Sequence, residues 1–599
     1  MRNKFIDIFG NAGFIIKHNP LMLVIALIAA VSMICLVEVA LPRQEQSFVF
    51  MKLALVASLG ISVSFTVRML SQRFGREIVF QFIAIVFLIA FYFLLPDREK
   101  DFTEMYAYLL IPTFILSHLL VSFVAFLKFN SELNFWQFNK KLFINSFLTA
   151  VFTGVLTGGV LLAILAVDRL FDFNLGNEWY TYTLYFLLFF GSVFIFLLFN
   201  ENGLPYLERH GDYPVILKFF TQYILIPLLL IYAVILYFYS AKILINWELP
   251  RGWVSYLILA YSVVGILALL LVHPLKDDTT KSWVRMFSKI FYYTLLPLII
   301  LLFVAIFTRI LEYGYTEPRY FVLMLALWLT TVVLYFILNI TQTIKFIPLS
   351  LFLFGLFSLA FPYFNAFSVA KRSQKSELVK ILNENNLLKN GKINFSKKIQ
   401  SEKVHDIADK FKFLAERKEI DFLLPFLHSK GQVELTKNIQ DGNYYEIKNL
   451  TKNQFKNISY DLSDKEINPA SQNITLVAKD FNANLSGYQY LFKAYNYKDN
   501  FFEFEGNTIE LKMPVSVFKS DFNLIFNKQK VNLVPDLQKL FKKYPNNGEI
   551  KVDNLFITKK IGNYEFKIMF DTLILVKSAN KESQFLINSE SILILIRKL

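Results

Sequence analysis

The chain has 599 residues, 55% of them hydrophobic and 17% aromatic, with a mean hydropathy of +0.44 and a formal net charge of +15. Apolar runs of about 20 residues recur as far as Phe367 and then stop, which excludes an ordinary soluble fold for the first two thirds. In such a chain a basic balance reads as loops held beside anionic lipid and not as nucleic-acid binding. Cys35, the single cysteine, excludes an internal disulfide framework or a thiolate metal site.

In chain order, Met1-Arg2-Asn3-Lys4 precedes an apolar run from Pro20 to Leu41. That run is too long for a cleavable signal and reads as a retained signal anchor. The runs together predict eleven spanning helices, at roughly 20–41, 48–69, 77–95, 105–127, 141–167, 179–199, 216–244, 253–273, 287–311, 320–339 and 346–366. Residues 1–370 therefore form a polytopic helical domain.

Basic residues in the short connections orient it. One side carries Arg68, Arg73, Arg76, Lys128, Lys140, Lys141, Arg209 and Lys345 among others; the opposite side carries about half as many, including Arg98, Lys100, Arg169, Arg251, Arg309 and Arg319. This predicts a cytoplasmic amino terminus. The odd helix count then puts the chain after Phe367 outside, in the periplasm if the cell is Gram-negative. Lys371, Arg372 and Lys375 run against the rule.

The fifth helix carries Ala150, Gly154 and Gly158 at four-residue spacing, a stripe suited to close helix approach in lipid. Pro112, Pro227, Pro297 and Pro348 fall inside apolar runs, where prolines mark kinks. One pattern is written twice: Tyr223, Pro227 and Leu228 followed by Glu248, Pro250 and Arg251, then Tyr293, Pro297 and Leu298 followed by Glu317, Pro318 and Arg319. It predicts a parallel helix-pair repeat over 213–275 and 285–340.

Beyond residue 370 the chain turns polar. Residues 371–430 read as a helical connector, with helices over 376–388 and 401–417 and a turn at Asn390-Gly391. From Gln432 period-two alternation takes over. Residues 431–599 read as a mixed, mostly antiparallel β domain with strands at 473–478, 501–512, 549–559 and 564–577, turns at Glu505-Gly506-Asn507 and Ile561-Gly562-Asn563, and a helix over 534–544. The fold class is thus a membrane all-α bundle followed by a soluble α+β domain.

Three phrases carry a family likeness: Ala241-Lys242-Ile243-Leu244-Ile245-Asn246-Trp247-Glu248-Leu249-Pro250-Arg251-Gly252-Trp253-Val254-Ser255, Arg309-Ile310-Leu311-Glu312-Tyr313-Gly314-Tyr315-Thr316-Glu317-Pro318-Arg319-Tyr320, and Lys371-Arg372-Ser373-Gln374. Over residues 160–400 the chain resembles the bacterial membrane proteins grouped as domain of unknown function 4153. The likeness continues more weakly to Gly487-Tyr488-Gln489-Tyr490-Leu491, where Gln489 stands in place of the acidic residue expected between the tyrosines. The resemblance implies a multipass envelope protein and no assigned activity.

No phosphate-cradling glycine loop, dinucleotide fingerprint or serine-hydrolase elbow occurs, and no two of the six histidines have metal-ligand spacing. No catalytic residue, metal or cofactor is implied. His118 stands out near mid-membrane. The remaining constellation is Asp168, Arg169, Glu248, Arg251, Arg309, Glu312, Glu317 and Arg319, with Trp247, Trp253, Tyr313 and Tyr320 among them, all assigned to the outer surface. Arginine offers phosphate or carboxylate a rigid fork of donors. The expected function is binding, moving or sensing a lipid-like or anionic ligand there, beneath the tail, with membrane lipids as further partners. One alternative is a scaffold or sensor whose carboxy-terminal domain binds an envelope protein. Another is a polyprenyl-phosphate-type glycosyltransferase using Asp97, Glu99 and Asp101.

Overall fold

The computed structural model describes residues 12–40, 44–129, 131–173, 175–200, 202–209, 213–246, 253–275, 282–338, 342–459, 474–479, 483–495, 500–512, 522–544, 548–553, 555–576, 584–587 and 592–599. They fall into two compact units, Met1–Tyr460 and Asp461–Leu599.

The first unit opens with a helical bundle. Its helices are α1 (Pro20–Ala40), α2 (Gln44–Phe74), α3 (Glu77–Leu94), α4 (Glu104–Phe123), α5 (Glu132–Phe171), α6 (Asn177–Phe199), α7 (Gly203–Glu208), α8 (Ile226–Asn246), α9 (Trp253–Val272), α10 (Ser282–Tyr313), α11 (Glu317–Leu338) and α12 (Phe346–Ala360). Among the described residues ten helices are long and apolar enough to cross a membrane. α12 has only 15 residues. The eleventh expected span is thus shorter than the other ten: Lys345 just before it donates to Phe126 O, just past the end of α4, and Phe364 O beyond its end accepts from Tyr320 Oη at the start of α11. Much of the outward surface is large and apolar, including Ile78, Phe82 and Phe93 on α3, as a lipid solvent demands.

Cations close one end of this bundle. Arg68 donates to Asn200 O, Arg73 to Ala125 O and Lys141 to Tyr206 O and Arg209 O. Each acceptor lies at or just past a helix carboxy terminus, where carbonyls lack intrahelical partners and the dipole favours positive charge.

Two sequence expectations change here. A Cβ built on Gly154 or Gly158 meets nothing within 4 Å among the described residues, so the small-residue stripe of α5 is open. The buried face is instead Asn145, Thr149, Thr153 and Thr157, because polar side chains are the ones a lipid-facing helix must turn inward. Pro348 sits in the first turn of α12, where its missing N–H costs nothing, and marks no kink. Pro112 and Pro297 do lie within α4 and α10, and Pro227 follows a π-helical stretch at Phe220–Leu225.

The chain breaks at residues 361–365 and restarts at α13 (Ala366–Glu384), capped by Asn365 Oδ1 accepting from Ser368 N at 2.8 Å. α14 (Ser401–Glu416), α15 (Ser429–Asp441) and α16 (Tyr444–Gln454) follow. Short pairs β1 (Leu388–Lys389) with β2 (Lys392–Ile393), and β3 (Ile399–Gln400) with β4 (Ile458–Ser459), trim the subdomain. Asn390 and Gly391, at φ 52° and 74°, make the first of these turns. Strands were expected from Gln432, but α15 and α16 occupy that stretch. Leu435 and Ile439, both buried, repeat at helical spacing, and Gly442 at φ 75° closes α15. Leu378, Leu382, Ile407, Phe411, Leu414, Leu435 and Ile447 share the subdomain core.

The second unit holds β5 (Ile474–Ala478), β6 (Tyr490–Ala494), β7 (Asn500–Phe504), β8 (Asn507–Lys512), β9 (Asn523–Phe526), β10 (Gln529–Asn532), α17 (Val534–Lys542), β11 (Gly548–Val552), β12 (Phe556–Ile561), β13 (Tyr564–Met569), β14 (Thr572–Val576), β15 (Gln584–Ile587) and β16 (Ile592–Lys598). Its sheets run β10-β9-β8-β7, β11-β5-β14-β15 and β12-β13-β16-β6. Every described pairing in them is antiparallel except β11 with β5. Phe492 stacks on Phe502, and Phe526 meets Phe566, so the first and third sheets join through aromatic faces.

Candidate functional site

The corner between α10 and α11 is shaped by one glycine. Gly314 N donates to Ile310 O at 2.8 Å to close α10, with φ at 75°. A Cβ there would lie 2.8 Å from Glu377 Cγ and 2.9 Å from Ser373 Oγ, so both the backbone conformation and the space require glycine. Its neighbours are tied to α13. Tyr315 N donates to Ser373 Oγ at 2.8 Å, and Gln374 Nε2 donates to Tyr313 O and Tyr315 O at 3.0 and 2.8 Å.

Glu317 opens α11, where a carboxylate suits the dipole. It faces Arg417, just past the end of α14. Arg417 Nε and Nη2 donate to Glu317 Oε1 and Oε2, both at 2.7 Å, while Nη1 donates to Phe413 O at 2.9 Å and the guanidinium stacks on the Phe413 ring. The two side chains are 1% and 3% exposed, so this is a buried, bidentate and fully bonded pair. Lys371 and Lys375 of α13 converge on Glu419 at 2.9 and 2.6 Å. Burial alone would raise the Glu419 carboxyl, but the hydrogen bonds from Lys375 and Lys371 outweigh it and hold the carboxyl below its ordinary value. Burial raises Glu416 and lowers Lys410, whose charged neighbours include Asp406, Glu377 and Arg319. On the α3–α4 loop, Gly442 packs so closely on Lys100 that a Cβ would come within 2.6 Å of Lys100 Cβ.

The predicted site residues divide. Arg309, Glu312, Tyr313 and Arg319 come together: the Arg309 and Arg319 guanidinium carbons lie 5.8 and 5.3 Å from the Tyr313 ring centre, and Arg309 is 3.9 Å from Glu312. Arg319 Nη1 donates to Gly314 O, its one hydrogen bond among the described residues for a group with five N–H donors. Glu317 lies beside them but is engaged by Arg417. Asp168 turns back to its own loop, accepting from Leu175 N at 2.6 Å, and Arg169 is exposed. Glu248 and Arg251, with Trp247, lie outside the described residues.

In the α3–α4 loop, Asp97 pairs with Lys52 at 3.2 Å, and Asp101 accepts from Arg98 Nε and Nη2 at 2.9 and 2.8 Å. His118 Nδ1 donates to Phe114 O on its own helix at 2.8 Å. Among the described residues no group of three His, Cys, Asp or Glu could hold a metal ion. Arg417 and Gln374 were not singled out from sequence. Gln374 closes the third of the quoted phrases, but nothing local marks Arg417, whose partner is a hundred residues away.

The model of the family described as domain of unknown function (DUF4153) matches residues 22–388. An uncharacterized protein of Pasteurella multocida (strain Pm70), PM1469, is 27% identical over 416 residues, covering 67% of this chain and 66% of its own length. The chain thus spans slightly under two thirds of that relative. No solved structure matches the chain significantly.

Proposed function

The chain belongs to the family of the domain of unknown function (DUF4153), and on that premise we propose that it recognises an anionic, phosphate-bearing lipid headgroup at the α10–α11 corner. It is a multipass membrane protein. In this reading it sits in a bacterial inner membrane with a cytoplasmic amino terminus, and the helical subdomain and β-rich unit stand on the periplasmic side. The exposed Arg76, Lys128 and Arg209 at the opposite end of the bundle support that orientation.

The observation that carries the headgroup reading is the pair of guanidinium groups flanking the single ring of Tyr313. Guanidinium groups gathered around one side chain favour an anion, and their forks match phosphate oxygens. Glu317 is not part of the anion site; bonded to Arg417, it fixes the subdomain beside it. Glu248 and Arg251 are proposed, on sequence alone, to give the α8–α9 corner the same role.

The test uses purified full chain in detergent with dihexanoyl phosphatidylglycerol as probe and dihexanoyl phosphatidylcholine as control. Wild type should prefer the anionic lipid, and Arg309→Ala should weaken its binding by about tenfold, the order of one charge-assisted contact. Equal affinity in wild type and Arg309→Ala refutes the site. A membrane-impermeant maleimide applied to cells carrying Cys35→Ser and Glu312→Cys tests the orientation; absence of labelling refutes it.

A further inference from the structure

At the opposite, basic end of the bundle a second polar site lies where four segments meet: the α4–α5 connection, the start of α5, the end of α9 and the α11–α12 connection. A cleft of about 270 Å³ there is lined by Phe129, Ser131, Glu132, Phe135, Gln342, Thr343 and Lys345. Behind it, a chamber of about 60 Å³ is lined by His273, Tyr292, Phe336, Gln342 and aliphatic side chains. Glu132 and His273 stand between the two, with His273 Nε2 at 3.2 Å from Glu132 Oε2. Ile344 N also donates to Oε2, at 3.4 Å, and Thr343 bonds the same carboxylate. Lys345 Nζ is fixed by Phe126 O at 2.9 Å and Phe129 O at 3.4 Å.

The lining has two charged residues of opposite sign, Glu132 and Lys345. A simple anion would meet the carboxylate, and a simple cation would meet the ammonium. A ligand carrying both charges a few ångströms apart satisfies each, and Phe129 and Phe135 offer aromatic walls to an ammonium group. Three groups position Glu132: His273 and Ile344 on Oε2, and Thr343 on the same carboxylate; an ionised carboxylate offers about four lone-pair sites, which leaves acceptor capacity toward the cleft. We propose that this cleft binds a zwitterionic aminophosphate, the chemistry shared by an ethanolamine phospholipid headgroup and free phosphoethanolamine, with Glu132 on the ammonium and Lys345 on the phosphate side. His273 is a positioning residue that holds the carboxylate toward the cleft.

The experiment measures binding to purified full chain in maltoside micelles by thermophoresis, with O-phosphoethanolamine, ethanolamine, inorganic phosphate, and dihexanoyl phosphatidylethanolamine and phosphatidylglycerol as probes. Phosphoethanolamine should bind at least about tenfold more tightly than either half-molecule, the gain expected of one additional satisfied charge. Glu132→Gln, which keeps shape and removes charge, should erase that preference. Preference for the ethanolamine lipid over the glycerol lipid, without binding of free phosphoethanolamine, identifies the lipid as the ligand. Preference in both arms identifies the headgroup as sufficient. Absence of saturable binding by either zwitterion overturns the proposal, as do half-molecules binding as well as the whole in wild type, or Glu132→Gln binding like wild type. The wild-type comparison of whole and half ligands decides the matter even where the variant misfolds.

Discussion

Removing Arg417 should detach the helical subdomain from the α10–α11 corner while the bundle stays folded. The pair it forms with Glu317 is 3% and 1% exposed and bonded at 2.7 Å on both forks. Truncating one partner of such a pair leaves the other charge buried and alone, at a cost of about 3–5 kcal/mol. Arg417→Ala should therefore raise the population of the opened corner by roughly 150- to 5,000-fold. Tyr315 N–H reports opening directly, since its acceptor is Ser373 Oγ on α13. Hydrogen exchange at Tyr315 and along α14 should accelerate by that factor, with exchange in α2 and α4 unchanged. Glu317→Leu with Arg417→Leu should restore much of the protection, because exchanging a whole buried pair for apolar side chains is often neutral or better. Acceleration below about threefold in Arg417→Ala, or a double variant as open as the single one, refutes the reasoning.

Gly314→Ala should lower the thermal midpoint of the same unit, at about 1–3 kcal/mol, because it meets both a φ of 75° and contacts under 3 Å; unchanged melting would refute this. Glu419 has a depressed carboxyl, so its contribution to docking is fully present above its ordinary value of 4.5 and is lost as pH falls through the lower folded value. Glu416, raised by burial, acts in the opposite sense, so the measurement is the difference in acid-side slope between wild type and Glu419→Gln, and identical slopes would refute it. Among the described residues Thr153 Oγ1 and Thr157 Oγ1 are buried without a hydrogen-bond partner, so Thr153→Val and Thr157→Val should be neutral or stabilising by up to about 1–3 kcal/mol; a clear loss of thermal stability in detergent would show that those hydroxyls are used.

The bundle was legible because lipid imposes a simple rule: a span must be long, apolar and internally hydrogen-bonded. The hairpin turns at Asn390-Gly391 and Glu505-Gly506 were legible because a left-handed backbone selects few residues. Other features turned on partners distant in sequence. The direction faced by the glycine stripe of α5 depends on which side of that helix meets α6, and the hydroxyl row from Thr149 to Thr157 decided it. The stretch after Gln432 misled because Gln-Val-Glu-Leu alternates over four residues, while the helical spacing of Leu435 and Ile439 emerges only over a longer window.

Lys371, Arg372 and Lys375 seemed misplaced because charge counting treats every cation as free to attract lipid. Two of them are bound to Glu419, and Arg372 donates to Tyr363 O and stacks on its ring. Cations held in this way report a contact within the chain and carry little topological information. The same distinction applies to the corner. Residues 309–320 and 371–374 were quoted as separate phrases, yet Gly314, Ser373 and Gln374 are two sides of one contact. Much of the polar character of both phrases is therefore explained by holding the subdomain in place. Arg309 is not, since it sits half-exposed on the last turns of α10 and its 3.9 Å contact with Glu312, which bonds Tyr313, is beyond hydrogen-bonding range. A ligand at this corner has to be recognised by the part of the motif that the fold does not consume, which makes Arg309 the residue whose loss separates binding from architecture.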